Sequence, residues 1–120
     1  MSKLLRQTLT LAAIAVAFAP PAIAEAPCTP IHFAAGQFSA TVNGMAPATD
    51  VVCYSMATGS GQQATLKIVK GANTVFTIDG VIDAQDSYSF KTDKKTYRIL
   101  IGQLMRSDTP EAFDLGVTIK

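Results

Sequence analysis

The chain has 120 residues, 48% of them hydrophobic and 16% charged, with a formal net charge of +1. A balance this close to neutral lacks the basic footprint that polyanions need, which excludes nucleic acid as a partner. The length allows one domain and not two.

The first segment sets the compartment. Lys3 and Arg6, with no acid nearby, form a positive start, and Leu9 to Ala19 is an apolar run. Pro20 and Pro21 break any helix, because proline lacks the backbone donor and clashes with the preceding turn. Ala22-Ile23-Ala24 is a small-x-small cleavage site. Residues 1–24 therefore read as a cleavable signal peptide and residues 25–120 as the mature domain. A membrane anchor would need roughly 20 apolar residues, and this run is shorter. A lipoprotein is excluded because Glu25-Ala26-Pro27, not small apolar residues, precedes Cys28. No later stretch approaches membrane length, so no membrane insertion is expected after cleavage. The expected location is periplasmic or secreted, in a bacterium. Cleavage removes two basic residues and no acid, which leaves eight against nine and a mature net charge of −1.

Two cysteines remain in an exported chain, which reads as one disulfide, Cys28–Cys53. The competing uses are weaker. A metal pair lacks further ligands, since His32 is the sole histidine, and a lone catalytic thiol would be oxidised in this compartment.

Beyond residue 25 the apolar residues recur at every second position, the period of strands. In chain order, Glu25 to Pro30 reads as an irregular arm pinned by Cys28. Ile31 to Phe33 reads as a short first strand. Phe38 to Val42 sets Phe38, Ala40 and Val42 against Ser39 and Thr41, and Asn43-Gly44 reads as its end. Val51 to Ala57 puts Val52, Tyr54 and Met56 on one face and Cys53 on the other. Gln63 to Val69 turns Leu66 and Ile68 inward and Lys67 outward. Thr74 to Ile78 is apolar on both faces, and Ser87 to Phe90 is short. Tyr97 to Ile101 opposes Tyr97, Ile99 and Ile101 to Arg98. The last strand sets Phe113, Leu115, Val117 and Ile119 against Asp114, Gly116 and Thr118. Glycine-bearing turns separate them at 58–62, 70–73 and 79–80. About eight strands in fewer than a hundred residues predict an all-β fold, an antiparallel β-sandwich or jelly roll.

Candidate chemistry is sparse. Gly59-Ser60-Gly61 suggests a nucleophile, but a nucleophile elbow needs a helix after the serine, and a strand follows. Asp79, Asp83 and Asp86 bring three carboxylates into eight positions, a candidate calcium set, although the spacing differs from the helix-flanked calcium loop. Lys91, Lys94, Lys95 and Arg98 form a modest basic cluster. Gln103, Leu104, Met105, Arg106 and Asp108 precede the last strand. Apolar residues beside an arginine on a supported loop are typical interface material. Ser60, Gln103, Met105, Arg106 and Asp108 are accordingly the candidate partner-contact residues. No catalytic residue, metal or cofactor is called for.

One resemblance runs through these motifs: Phe33-Ala34-Ala35-Gly36, Ser39 to Gly44, Cys53-Tyr54-Ser55-Met56-Ala57, Gly61-Gln62, Tyr97 to Gly102 and Ala112 to Val117. Their order resembles the bacterial pre-peptidase C-terminal domain, a jelly-roll-like sandwich, over nearly the whole mature chain. In size, leader and strand order the chain is also similar to a stand-alone exported family of that fold, the periplasmic inhibitors of g-type lysozyme. The chain reads as a non-enzymatic binding protein, a monomer or weak homodimer, and the resemblance implies that it blocks a lysozyme cleft with loops. The alternative is a cell-envelope carbohydrate- or polymer-binding module or an accessory stability factor, with a glycan in place of the protein partner.

Overall fold

The structure is a computed structural model in which residues 27–120 are described; the expected signal peptide lies outside them. Nine strands follow in order: β1 (Thr29–Pro30), β2 (Ser39–Ala46), β3 (Val52–Thr58), β4 (Gln63–Lys70), β5 (Thr74–Ile78), β6 (Ile82–Gln85), β7 (Ser87–Lys91), β8 (Lys95–Gln103) and β9 (Glu111–Ile119). They form two sheets, in the orders β1-β3-β8-β5-β6 and β2-β9-β4-β7. The described residues contain no helix.

The winding is that of a jelly roll. β5 pairs with β6, β4 with β7, β3 with β8 and β2 with β9, all antiparallel. The chain from β2 to β9 is thus one long antiparallel ribbon, rolled so that β5 also meets β8 and β4 also meets β9. β1 stands outside this plan and pairs parallel with β3.

Alternation explains the packing. Successive side chains on a strand point to opposite faces. On β9, Phe113, Leu115, Val117 and Ile119 are buried while Lys120 beyond them is exposed. Tyr97, Ile99 and Ile101 on β8 do the same from the other sheet, joined by Met56, Phe76 and Ile78. Each fully buried side chain of this kind contributes about 1.5–3 kcal/mol by the area it removes from water. Two aromatic pairs cross between the sheets: Tyr54 meets Phe113 edge-on at 6.5 Å, and Phe90 meets Tyr97 edge-on at 5.1 Å.

Four expectations are corrected. Ile31 to Phe33 is not a strand; the short strand is Thr29–Pro30, inside the stretch read as an irregular arm. It forms because the Cys28–Cys53 disulfide, with Cα atoms 4.7 Å apart, holds the arm against β3. Ile82–Gln85 is a strand that has no inward pattern to announce it, since three of its four residues are exposed. Phe38 does not share the inward face of Ala40 and Val42: it precedes β2 and is 63% exposed. Asn43-Gly44 does not end β2, which continues to Ala46. Gly44 is there because a Cβ would lie 2.9 Å from both the Phe113 ring and the Tyr54 hydroxyl. The glycine permits close packing and makes no turn.

Candidate functional site

The register divides the candidate residues between two ends of the sandwich. Val52 pairs with Ile101 and Thr58 with Lys95. The turn after β3, which carries Ser60, is therefore at the opposite end from the loop after β8, which carries Arg106.

At the Ser60 end, the exposed serine sits in a turn that returns directly into β4. Thr92, almost fully buried, ties this turn to the loop before β8. Its hydroxyl donates to the Gly59 carbonyl at 2.7 Å and accepts from the Gln62 amide at 3.2 Å. Its amide donates to Gln62 O and its carbonyl accepts from Gly61 N, both at 2.7 Å. Gly61 takes the positive φ, 75°, that the turn requires. These bonds make Ser60 part of a tight connection, and no helix supports it as a nucleophile.

At the Arg106 end, three loops meet: 47–51, 71–73 and 104–110. Gln103 connects them. Its side-chain amide donates to the carbonyls of Thr109 at 2.8 Å and Ala46 at 3.1 Å, with a longer contact to Pro47 at 3.4 Å. Its side-chain oxygen accepts from the Asn73 amide at 3.0 Å. Asn73 also grips the loop main chain, donating to Met105 O and accepting from Met105 N, each at 2.9 Å. The Asn73 carbonyl accepts from Leu104 N at 2.8 Å. Glu111 anchors Asn73 in turn, accepting from its backbone amide at 3.0 Å and from the Thr74 hydroxyl at 2.6 Å. Gly71, at φ 115°, allows the chain to make this corner, where a Cβ would lie 2.7 Å from the Thr74 hydroxyl.

The loop so held turns its larger side chains outward. Leu104 is 61% and Met105 67% exposed, and neither closes the core. Val51, across from them, is also exposed. Arg106 lines two hollows. One of about 410 Å³ is lined by Ala48, Thr49, Arg106, Ser107 and Asp108. The other, of about 290 Å³, lies between residues 48–51 and 103–106. The arrangement offers two flexible apolar side chains and a guanidinium on a pre-ordered main chain, which suits binding.

The candidate calcium set does not assemble. Asp79 lies 3.5 Å from Arg98, Asp83 is on β6, and Asp86 sits in the corner between β6 and β7. Among the described residues no three histidine, cysteine or acidic side chains are placed to hold a metal ion. Two members of the basic cluster have partners of their own: Arg98 turns to Asp79, and Lys95 lies 4.9 Å from the centre of the Tyr97 ring.

No family model matches the chain, and no curated protein matches its sequence. Solved structures do match its fold. PliG from Aeromonas hydrophila, a periplasmic lysozyme inhibitor of g-type lysozyme, superposes with a TM-score of 0.66 at 23% identity, over 78% of this chain and 96% of that one. PliG from Salmonella Typhimurium gives 0.61 at 20% identity, over 80% of this chain and 100% of that one. A mutant of the Escherichia coli inhibitor gives 0.58 at 22% identity, over 77% and 96%. The fold is shared with the inhibitors of g-type lysozyme. The expected link to the pre-peptidase C-terminal domain has no such support. The sequence pattern had not singled out Asn73 and Glu111, which hold the 104–108 loop. Asn73 reads as an ordinary turn residue, and nothing near Glu111 in the chain signals its partners.

Proposed function

We propose that the mature protein is a non-enzymatic periplasmic inhibitor of g-type lysozyme and that the Arg106 end enters the enzyme's cleft. The observation that carries the reading is the end-to-end fold likeness to three inhibitor structures, covering 96%, 100% and 96% of their lengths. The Arg106 end supports it. Glycan-cleaving clefts carry carboxylates, and Arg106 supplies the complementary planar cation. Leu104 and Met105 supply apolar contact beside it. The bonds from Asn73 and Gln103 order the loop before binding, so little conformational entropy is lost when it docks. Ser60, at the other end, stays outside this contact, while Gln103 supports the loop from beneath and Asp108 borders it.

The test is lysis of peptidoglycan by a g-type lysozyme with the purified mature chain added. Inhibition at near-stoichiometric amounts is expected. Undiminished lysis at a large molar excess over g-, c- and i-type enzymes contradicts the reading, and so does retention on peptidoglycan without any effect on lysis.

A further inference from the structure

Three of the four methionines lie among the described residues, in three different environments. Met56 is fully buried in the core between the sheets. Met45 is 53% exposed on β2, opposite Ala112 of β9. Met105, 67% exposed, is on the loop after β8 and lines the hollow of about 290 Å³ beside Arg106. Its backbone amide and carbonyl are both bonded to the Asn73 side chain. The main chain is therefore fixed while the thioether stands in water.

A thioether sulfur has lone pairs and no proton to lose, so peroxides oxidise it without the ionisation that a thiol needs. Both cysteines are joined in the disulfide, and the described residues hold no free thiol that would compete for the oxidant. The compartment expected of an exported chain is an oxidising one. With hydrogen peroxide as co-reactant, the Met105 sulfur attacks one peroxide oxygen. The S–O bond forms, the O–O bond breaks, and the second oxygen leaves as water. Sulfur is oxidised by two electrons and the peroxide is reduced by two. The product is the sulfoxide, which methionine sulfoxide reductases convert back.

We propose that Met105 is a reversible oxidation site and that its sulfoxide weakens docking through the Arg106 end. The effect on docking rests on the lysozyme reading above; the modification does not. Oxidation turns a flexible apolar side chain into a polar one with a strong acceptor oxygen. In the free protein that oxygen stays hydrated, so the fold is undisturbed. In an interface it must shed water, and it stands next in the chain to the guanidinium that would meet a carboxylate. Met56, whose oxidation would disrupt the core, is shielded by burial. The oxidant thus alters the contact loop and spares the sandwich.

The test treats the mature chain with hydrogen peroxide and follows each methionine by peptide mass. Met105 and Met45 should gain one oxygen on a common timescale, and Met56 about tenfold more slowly or less, because only opening of the core exposes it. In the lysis assay with a g-type lysozyme, the treated chain should inhibit about fivefold or more weakly at an unchanged melting temperature. Met105→Gln, which sets a carboxamide in place of the sulfoxide, should weaken inhibition similarly without peroxide. Met105→Leu should keep its inhibition through the treatment. A Met105 that stays unoxidised overturns the site. A treated chain that inhibits as before, or a loss that persists in Met105→Leu, overturns the effect on docking. Undiminished lysis with the untreated chain contradicts the lysozyme reading, and the effect on docking falls with it, while the peptide masses still decide the site.

Discussion

The Asn73 side chain and the Met105 main chain exchange two hydrogen bonds, one in each direction, both 2.9 Å long. The carboxamide thereby pairs with a loop residue as a neighbouring strand would. Truncation to alanine removes both bonds, and because the Met105 amide and carbonyl stay open to water the cost is that of ordinary hydrogen bonds, about 0.5–1.5 kcal/mol. For a domain of this size each kcal/mol lowers Tm by about 4–8 °C. Asn73→Ala should therefore melt visibly earlier by calorimetry, and the Met105 amide should exchange with deuterium faster in the native state.

Gly44 sets a second constraint, in the middle of β2. An alanine there would place its Cβ 2.9 Å from the Phe113 ring and the Tyr54 hydroxyl, which themselves pack together between the sheets. Overpacking of this kind costs about 1–3 kcal/mol. Gly44→Ala should lower the urea midpoint with an unchanged slope.

The Cys28–Cys53 disulfide closes a loop of 25 residues. On the chain-entropy model such a closure stabilises by about 3–3.5 kcal/mol. Replacing both cysteines with serine should cost close to that in denaturant unfolding. It should also release β1, which is held to β3 by two pairs, so proteolytic nicking near residues 27–31 should appear in the variant before global unfolding.

Asp79 and Arg98 form an ion pair at 3.5 Å with both side chains substantially exposed. Pairs of this kind contribute about 0–1 kcal/mol. Asp79→Asn should therefore leave stability within about 1 kcal/mol of wild type. Because Asp79, Asp83 and Asp86 do not converge, melting curves with calcium and with a chelator should superimpose.

Much of the fold was legible from alternation alone. Phe113, Leu115, Val117 and Ile119 announce β9, and Tyr97, Ile99 and Ile101 announce β8, since burial on one face forces period two. The errors have physical causes. Asn43-Gly44 looks like a turn because local chemistry cannot reveal that Phe113, far along the chain, packs on that glycine. β6 was hidden because three of its four residues are exposed and carry no inward pattern. β1 forms through the disulfide to β3, a tertiary cause without a local signal. The Leu104-Met105-Arg106 run could be singled out in the sequence as a candidate contact loop. Its separation from Ser60 was not legible, because only the β3–β8 register assigns the two loops to opposite ends.

That separation allows a direct test of which end acts. In a lysis assay with a g-type lysozyme, Arg106→Glu should raise the inhibition constant about thirtyfold or more, the size of a hot-spot loss. Ser60→Glu, at the far end, should inhibit as wild type does. Equal inhibition by wild type and Arg106→Glu, or a loss confined to Ser60→Glu, would contradict docking through the Arg106 end.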